Sequence, residues 1–301
     1  MPDATEPTPP SETSELRRAS RTAWGALEAV HVLGYFAREV TDAFVGLGLR
    51  PRLSYFAARS AALGPVGPEV PMATFYVFAP WLHAKALPSS WAVASPETVQ
   101  QARRDAVSVV LDRVLGDVDE ADLAELLGLL RTVCAGLTAH GRPLYAAHAG
   151  LAWPDDPRLA VWHAATLVRE HRGDGHVAVL LGAGLDPVES LVLGGLFAGS
   201  TEFLRESRGW TDEEWARAQH RLEARGLVRD GALTDAGVTY RKGLEHETDR
   251  LALEGWAHLG LDGTRRVTTL AAPLRDAALA SGILPSWAAG RRPPGPPSPR
   301  L

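Results

Sequence analysis

The chain has 301 residues, 46% of them hydrophobic and 22% charged, with a formal net charge of −5. That composition excludes global disorder, and its sign excludes an overall attraction to nucleic acid or an anionic membrane. A single cysteine, Cys134, excludes an intrachain disulfide framework and a thiolate-rich zinc site. No uncharged apolar run reaches about eighteen residues, and the N-terminus is polar and acidic rather than a signal peptide. A soluble, cytoplasmic protein with no membrane partner is expected. Of the 31 basic residues only Lys85 and Lys242 are lysine, a bias that suggests a GC-rich genome.

Residues 1–15 are Pro, Thr, Ser and Glu with little to bury, and a disordered tail is expected. A first helix is expected from about Leu16 to Leu47, stopped at Gly48, and a second from Arg50-Pro51 to Ser60. Three prolines and two glycines in 63–71 exclude a helix there and lead to the apolar segment Met72–Leu87. Ser95-Pro96, an N-cap followed by Pro, opens a helix that ends before Gly116. Asp119 caps the next, to about Ala139. Asp156-Pro157 opens another, expected to close at Gly173, with Asp174 capping a further apolar helix near His176. Strand signals are nearly absent, so 16–183 reads as a helical domain.

The character changes from Asp186. Pro187–Ala198 is a short apolar helix, and Ser200 is placed to cap Thr201–Arg208. Thr211-Asp-Glu-Glu214 is a capping box opening a helix to Arg225, with Gly226 after it. Asp230-Gly231, flanked by Leu227-Val-Arg229 and Ala232-Leu-Thr234, is a strong hairpin signal. A long helix follows to about Leu259, then a C-terminal helix within 261–290 and a Pro-rich disordered tail over 291–301.

Two polar constellations stand in apolar surroundings. Trp24, Glu28, His31 and Tyr35 fall on one stripe of a buried helix. A buried carboxylate must be paired, hydrogen-bonded or ligand-bound, so Glu28 marks either a site or a packing device. Glu28-x-x-His31 also has the spacing of a shared metal ligand pair, although no second such motif is present. His163, Thr166 and Glu170 share another helical face, followed closely by His171, Arg172, Asp174 and His176. The expected ligand site therefore takes in Glu28, His31, Tyr35, Arg59, His163, Glu170, His171 and His176. Arg59 is placed there to pair with Glu28 or bind an anion. A divalent metal on Glu28, His31 and His163 is one candidate cofactor. Cys134 reads as an inert core thiol. No phosphate-cradling Gly-rich loop, Gly-x-Ser-x-Gly elbow or dinucleotide fingerprint occurs.

Arg221-Leu-Glu-Ala-Arg-Gly-Leu-Val228 followed by Gly231-Ala-Leu-Thr-Asp-Ala-Gly237 resembles the MarR-type winged helix, over roughly residues 185–260. Leu63-Gly-Pro-Val66, Trp162-His-Ala-Ala-Thr166 and Arg169-Glu-His-Arg-Gly-Asp-Gly-His176 look like an actinobacterial family with a helical N-terminal part and this kind of winged helix. The resemblance implies a mainly α fold: a helical domain at 16–183, then a MarR-like winged helix-turn-helix at 184–260 with one short β-hairpin. It implies no settled activity. A MarR-type wing usually carries an Asp-x-Arg element for the minor groove; this wing, Asp230-Gly231-Ala232, has no arginine beyond its tip. Residues 184–260 hold nine basic and fourteen acidic residues, the wrong sign for phosphate contacts. Arg217 and Arg221 are the DNA-contact candidates, with Arg205, Arg208 and Arg225 able to join them if their faces converge.

Three functions fit these features. The helical part binds a small molecule or metal and the winged helix reports occupancy, as a ligand-responsive regulator; or the same polar groups do acid–base or metal-assisted chemistry; or the chain is a conventional DNA-binding repressor. The first uses both the buried stripe and the winged helix and is preferred, with DNA disfavoured by charge and a homodimer left open.

Overall fold

The computed structural model describes residues 10–285 and is almost wholly helical. The tails expected at 1–9 and 291–301 lie outside the described residues, as does 286–290. Pro10–Glu15, expected to be disordered, instead begin helix α1 (Pro10–His31), where Glu15 pairs with Arg265 at 3.0 Å.

The single helix expected to Leu47 is broken into α1, α2 (Leu33–Phe36) and α3 (Arg38–Gly46). The cause is tertiary. The Trp162 indole lies against Gly34 and donates its N–H to the His31 carbonyl at 3.1 Å, while the Tyr35 amide turns to the Val32 carbonyl. A side chain inserted into the ladder in this way bends a helix.

Proline at the first turn then opens α4 (Pro51–Ser60). Helix α5 (Glu69–Phe75) begins inside the stretch expected to be non-helical, because Pro71 sits in its first turn, where its missing N–H is not needed. Helices α6 (Pro80–Ala86), α7 (Pro96–Leu115), α8 (Glu120–Ala135) and α9 (Pro143–Ala149) follow. Ser95 and Asp119 cap α7 and α8 as expected, while α8 stops four residues earlier than Ala139.

Helix α10 (Pro157–Gly182) is the spine of the molecule. It does not close at Gly173. Glycine weakens a helix by only about 1 kcal/mol relative to alanine, and α10 is buried along most of its length, so packing outweighs that loss. Gly175 admits the Arg142 guanidinium, which would lie 2.6 Å from an added Cβ and donates to the His171 and Leu251 carbonyls. Asp174 caps a helix other than the expected one: its carboxylate accepts the Tyr145 amide at 2.9 Å in the first turn of α9.

The remaining order is α11 (Pro187–Ala198), α12 (Thr201–Arg208), α13 (Asp212–Ala224), the hairpin β1 (Val228–Arg229) and β2 (Ala232–Leu233), α14 (Asp235–Leu251), α15 (Glu254–Leu259) and α16 (Leu261–Ala280). Thr211 and Glu214 form the expected capping box on α13, and the hairpin turns on Asp230 and Gly231, both at positive φ. Ser200 stands at the N-cap of α12 without a side-chain hydrogen bond. The long helix expected to Leu259 is interrupted between α14 and α15.

Three apolar cores result, the smallest joining Leu53 and Phe56 of α4, Phe75 of α5, Ala86 of α6 and Leu144 of α9. Of the two larger ones, the main one gathers α1, α7, α8, α10 and α16; the second, with Leu193, Trp215, Leu222 and Leu244, belongs to the winged helix. Helix α10 contributes to both, through Val161–Val168 and through Leu180. The winged helix is also tied to the helical part at two places. On α14, Glu245 and Asp249 hold Arg21 of α1 and Arg172 of α10 at 2.5–2.9 Å. At the turn between α12 and α13, the Trp210 indole donates to the Val77 carbonyl, and the Arg208 carbonyl accepts the Ala79 amide, both at 2.9 Å. Among the described residues no single helix is long and apolar enough to cross a membrane.

Candidate functional site

Three of the four stripe residues on α1 and α2 line a cleft of about 590 Å³: Trp24, Glu28 and Tyr35. His31 does not. Its ring is fully buried, stacked on Trp162 and edge-on to Tyr35. The Thr166 hydroxyl donates to the Trp162 carbonyl at 2.9 Å, so His31 Nδ1–H donates to Thr166 Oγ1 and His31 Nε2 accepts the Tyr35 hydroxyl, each at 3.1 Å. Burial, reinforced by Arg169, holds His31 well below the usual imidazole range. Neither ring nitrogen is left for a ligand or a proton transfer.

Glu28 pairs with Arg169 rather than with Arg59, at 3.4 Å, and its second oxygen is buried without a partner. Burial raises its carboxyl above the ordinary value despite Arg169. Arg59 reaches Glu170 of α10 instead, at 3.0 Å, and Arg169 holds the other oxygen of Glu170 at 2.7 Å. Burial would raise the Glu170 carboxyl, but Arg169 and then Arg59 outweigh it and hold it well below the usual carboxylate range. Tyr55 extends the chain by accepting from Arg59 at 3.1 Å. Tyr55–Arg59–Glu170–Arg169–Glu28 is thus one continuous polar seam. On its far side lies a second cavity of about 200 Å³, lined by Arg59, Glu170, Asp174 and His176, which shares Trp24, Glu28 and Arg169 with the larger cleft.

Of the other expected site residues, His163 and His171 lie apart, while His176 lines the smaller cavity with Arg59 and Glu170. His163 packs edge-on to Trp153 and lines a separate cavity of about 30 Å³ with His148 and Arg103. His171 faces Glu254 at 3.1 Å, away from the seam. His176 donates to the Thr248 hydroxyl at 2.8 Å, since that hydroxyl donates to the Leu244 carbonyl. Glu28, His31 and His163 therefore do not converge as a metal ligand set, and no group of three or more His, Cys, Asp or Glu among the described residues is arranged to hold a metal. Cys134 is buried, its thiol pushed up to about 12 by that burial.

Two participants are not expected at this site from sequence, where Arg208 reads only as a possible DNA contact. Arg169 is the hub of the seam, yet beside Glu170 and Arg172 it reads as one charge of a solvated turn. Arg208 closes the 590 Å³ cleft from the opposite wall, together with Phe203 and Ser207 of α12. Its guanidinium lies over Phe78 and Phe203, 4.6 and 5.5 Å from the ring centroids. The rest of that wall is Phe56, Phe78 and Tyr55. The cleft therefore has a helical-domain side and a winged-helix side.

The exposed face of α13 presents Asp212, Glu213, Arg217, His220 and Glu223. Arg221 is committed to Asp186 and Glu189, Arg205 to Asp212, and Arg225 to the Tyr240 hydroxyl. The five arginines do not converge into a patch. Arg217 and the wing residue Arg229 are exposed, with no ion pair among the described residues.

A family model described as a helix-turn-helix family matches residues 20–285, taking in the helical part and the winged helix together. No curated protein and no solved structure matches the chain. With the match extending over most of its length, the chain belongs to this helix-turn-helix family.

Proposed function

We propose that the protein is a ligand-responsive transcriptional regulator, in which a small molecule bound between the helical part and a winged helix of MarR-like order sets the posture of the DNA-contacting helix. The position of α12 carries this reading. It is the first helix of the helix-turn-helix pair and also a wall of the 590 Å³ cleft, a volume in the range of small-molecule sites. A molecule filling the cleft would press on Phe203 and Arg208, and Arg208 is followed directly by the turn into α13. A strained joint lies on the same path. Tyr76 holds φ at +46° in a tight turn closed by the Val77 amide on the Phe75 carbonyl, and the Tyr76 hydroxyl donates to Leu185, just ahead of α11. Residues held in such conformations concentrate at switch regions.

The acidic face of α13 leaves few cations for phosphate, so the affinity expected for random duplex is low and the contacts few. The test is selection from a random duplex library by the full chain at low salt, followed by affinity measurements across salt concentration. Enrichment of a shared sequence supports the regulator. Failure to enrich any sequence, with binding no better than that of a neutral control protein, would refute DNA recognition.

A further inference from the structure

Arg59, Arg169 and Arg208 stand around the seam and the cleft with the carboxylates Glu28 and Glu170; of the other charged groups lining the two cavities, Arg52 is exposed at the cleft rim, Arg172 is held by Glu245 and Asp249, and Asp174 accepts the Tyr145 amide. Arg59 and Arg169 share Glu170, and Arg169 also takes Glu28. Arg208 has no carboxylate within ion-pair reach among the described residues. One of its nitrogens donates to its neighbour Ser207 at 2.8 Å, and its Nε is buried with no partner at all. Burial lowers its affinity for the proton. Phenylalanine faces are a weak substitute for a counter-ion: a cation–π contact offsets only part of what a largely buried cation loses when it has no charged partner. The outer groove that continues from the cleft is cationic too, with Arg50, Arg52 and Lys85 against Glu206.

We infer that the cleft takes an amphipathic organic anion, an aromatic ring system bearing one carboxylate or phosphate, with its head on Arg208 and its rings among Phe56, Phe78 and Tyr35. A single negative charge balances Arg208, the guanidinium on the cleft wall that has no carboxylate and a buried Nε without a partner. A neutral molecule would keep it unmatched, and a cation would add to the excess. The aromatic walls favour flat apolar rings over a flexible chain, and Tyr35 is held in place by its hydrogen bond to His31. Because Arg208 ends α12, the anion would draw the helix-turn-helix toward α1 and α10. This assignment deepens the regulator proposed above and rests on its ligand cleft.

The test is calorimetric titration and thermal shift of the full chain with 2-naphthoate, 2-naphthyl phosphate, 2-naphthylmethanol and 2-naphthylmethylamine, repeated on Arg208→Met and Arg208→Lys. Both anions, or one of them, should bind saturably and raise the melting temperature. The alcohol should bind at least about tenfold more weakly, the cost of losing one charge-assisted contact, and the amine should not bind. Whichever anion binds more tightly identifies the head group. Arg208→Met should reduce anion affinity to that of the alcohol while melting no lower than wild type, and Arg208→Lys should retain part of it. If Arg208→Met does not fold, the Lys variant and the probe series still decide. Equal binding of alcohol, amine and anions would overturn the assignment. So would unchanged anion affinity in the variants, or no saturable binding of either anion up to millimolar concentration. Anion binding with no DNA selected would refute the regulator and leave the site standing; selected DNA with no anion binding would do the reverse.

Discussion

Acid should unfold this protein well above the usual carboxylate range, because six of its ten histidines are held neutral by burial. Burial holds His148, His163, His171 and His176 each at about 4, against an ordinary 6.5. A depressed pKa gives stability that is complete above the unfolded value and lost as pH falls from 6.5 toward 4. At pH 5 the unfolded chain binds a proton at each position and the folded one barely does, which removes about 2 kcal/mol per histidine and about 8 for the four. Asp174 works in the opposite sense. Burial raises it to about 6, so it gains a proton in the folded state as pH falls below that value; this returns about 1 kcal/mol at pH 5. His31 and His83 add to the loss: both are fully buried, and neither ring nitrogen of His83 has a partner. A net loss of about 7 kcal/mol is comparable with the whole stability of an ordinary domain, about 5–15 kcal/mol. The assay is urea unfolding followed by tryptophan fluorescence at pH 7.5 and pH 5. With m near 3 kcal/mol/M, the midpoint should fall by about 2 M. An unchanged midpoint, or histidine ring signals titrating near 6.5 in the folded protein, would refute the reasoning.

The two seam carboxylates should respond differently to neutralisation. Glu170→Gln leaves Arg59 and Arg169 facing each other in the interior and should lower stability by about 3–5 kcal/mol, read by thermal melting; a change below about 1 kcal/mol would count against the seam as a structural element. Glu28→Gln, whose second oxygen already lacks a partner and whose charge burial disfavours, should shift stability by less than about 1 kcal/mol. Gly209→Ala places a Cβ 2.7 Å from Leu82 at a φ of +80° and should cost about 1–3 kcal/mol; a neutral result in urea melts would mean that this turn is not held against α6. Arg217→Ala should weaken any selected duplex and reduce the salt slope by about one; an unchanged slope would remove Arg217 from the interface.

Interactions spanning a few residues were legible in the sequence. Ser95, Asp119, Asp156 and Thr211 cap their helices because each accepts an amide two or three positions ahead. Asp230-Gly231 makes the hairpin because both residues tolerate positive φ. The order of helices and wing follows from such signals, and the family match is consistent with it. Tertiary structure decided the partners of the seam charges. Glu170 lies 111 positions from Arg59, and Arg169 lies 141 from Glu28; helical periodicity says which face each occupies and nothing about the face opposite. The same limit misplaced two helix ends. Gly173 is a stop signal only for a helix that its surroundings do not hold, and the Trp162 indole broke α1 from another part of the chain. It also hid the role of Arg208, which in sequence is an arginine near a helix end and in the fold is a cleft guanidinium with no carboxylate and a buried, partnerless Nε. Local hydrogen bonds are set by covalent proximity, whereas the desolvation that makes a charge functional exists only once the chain has closed around it.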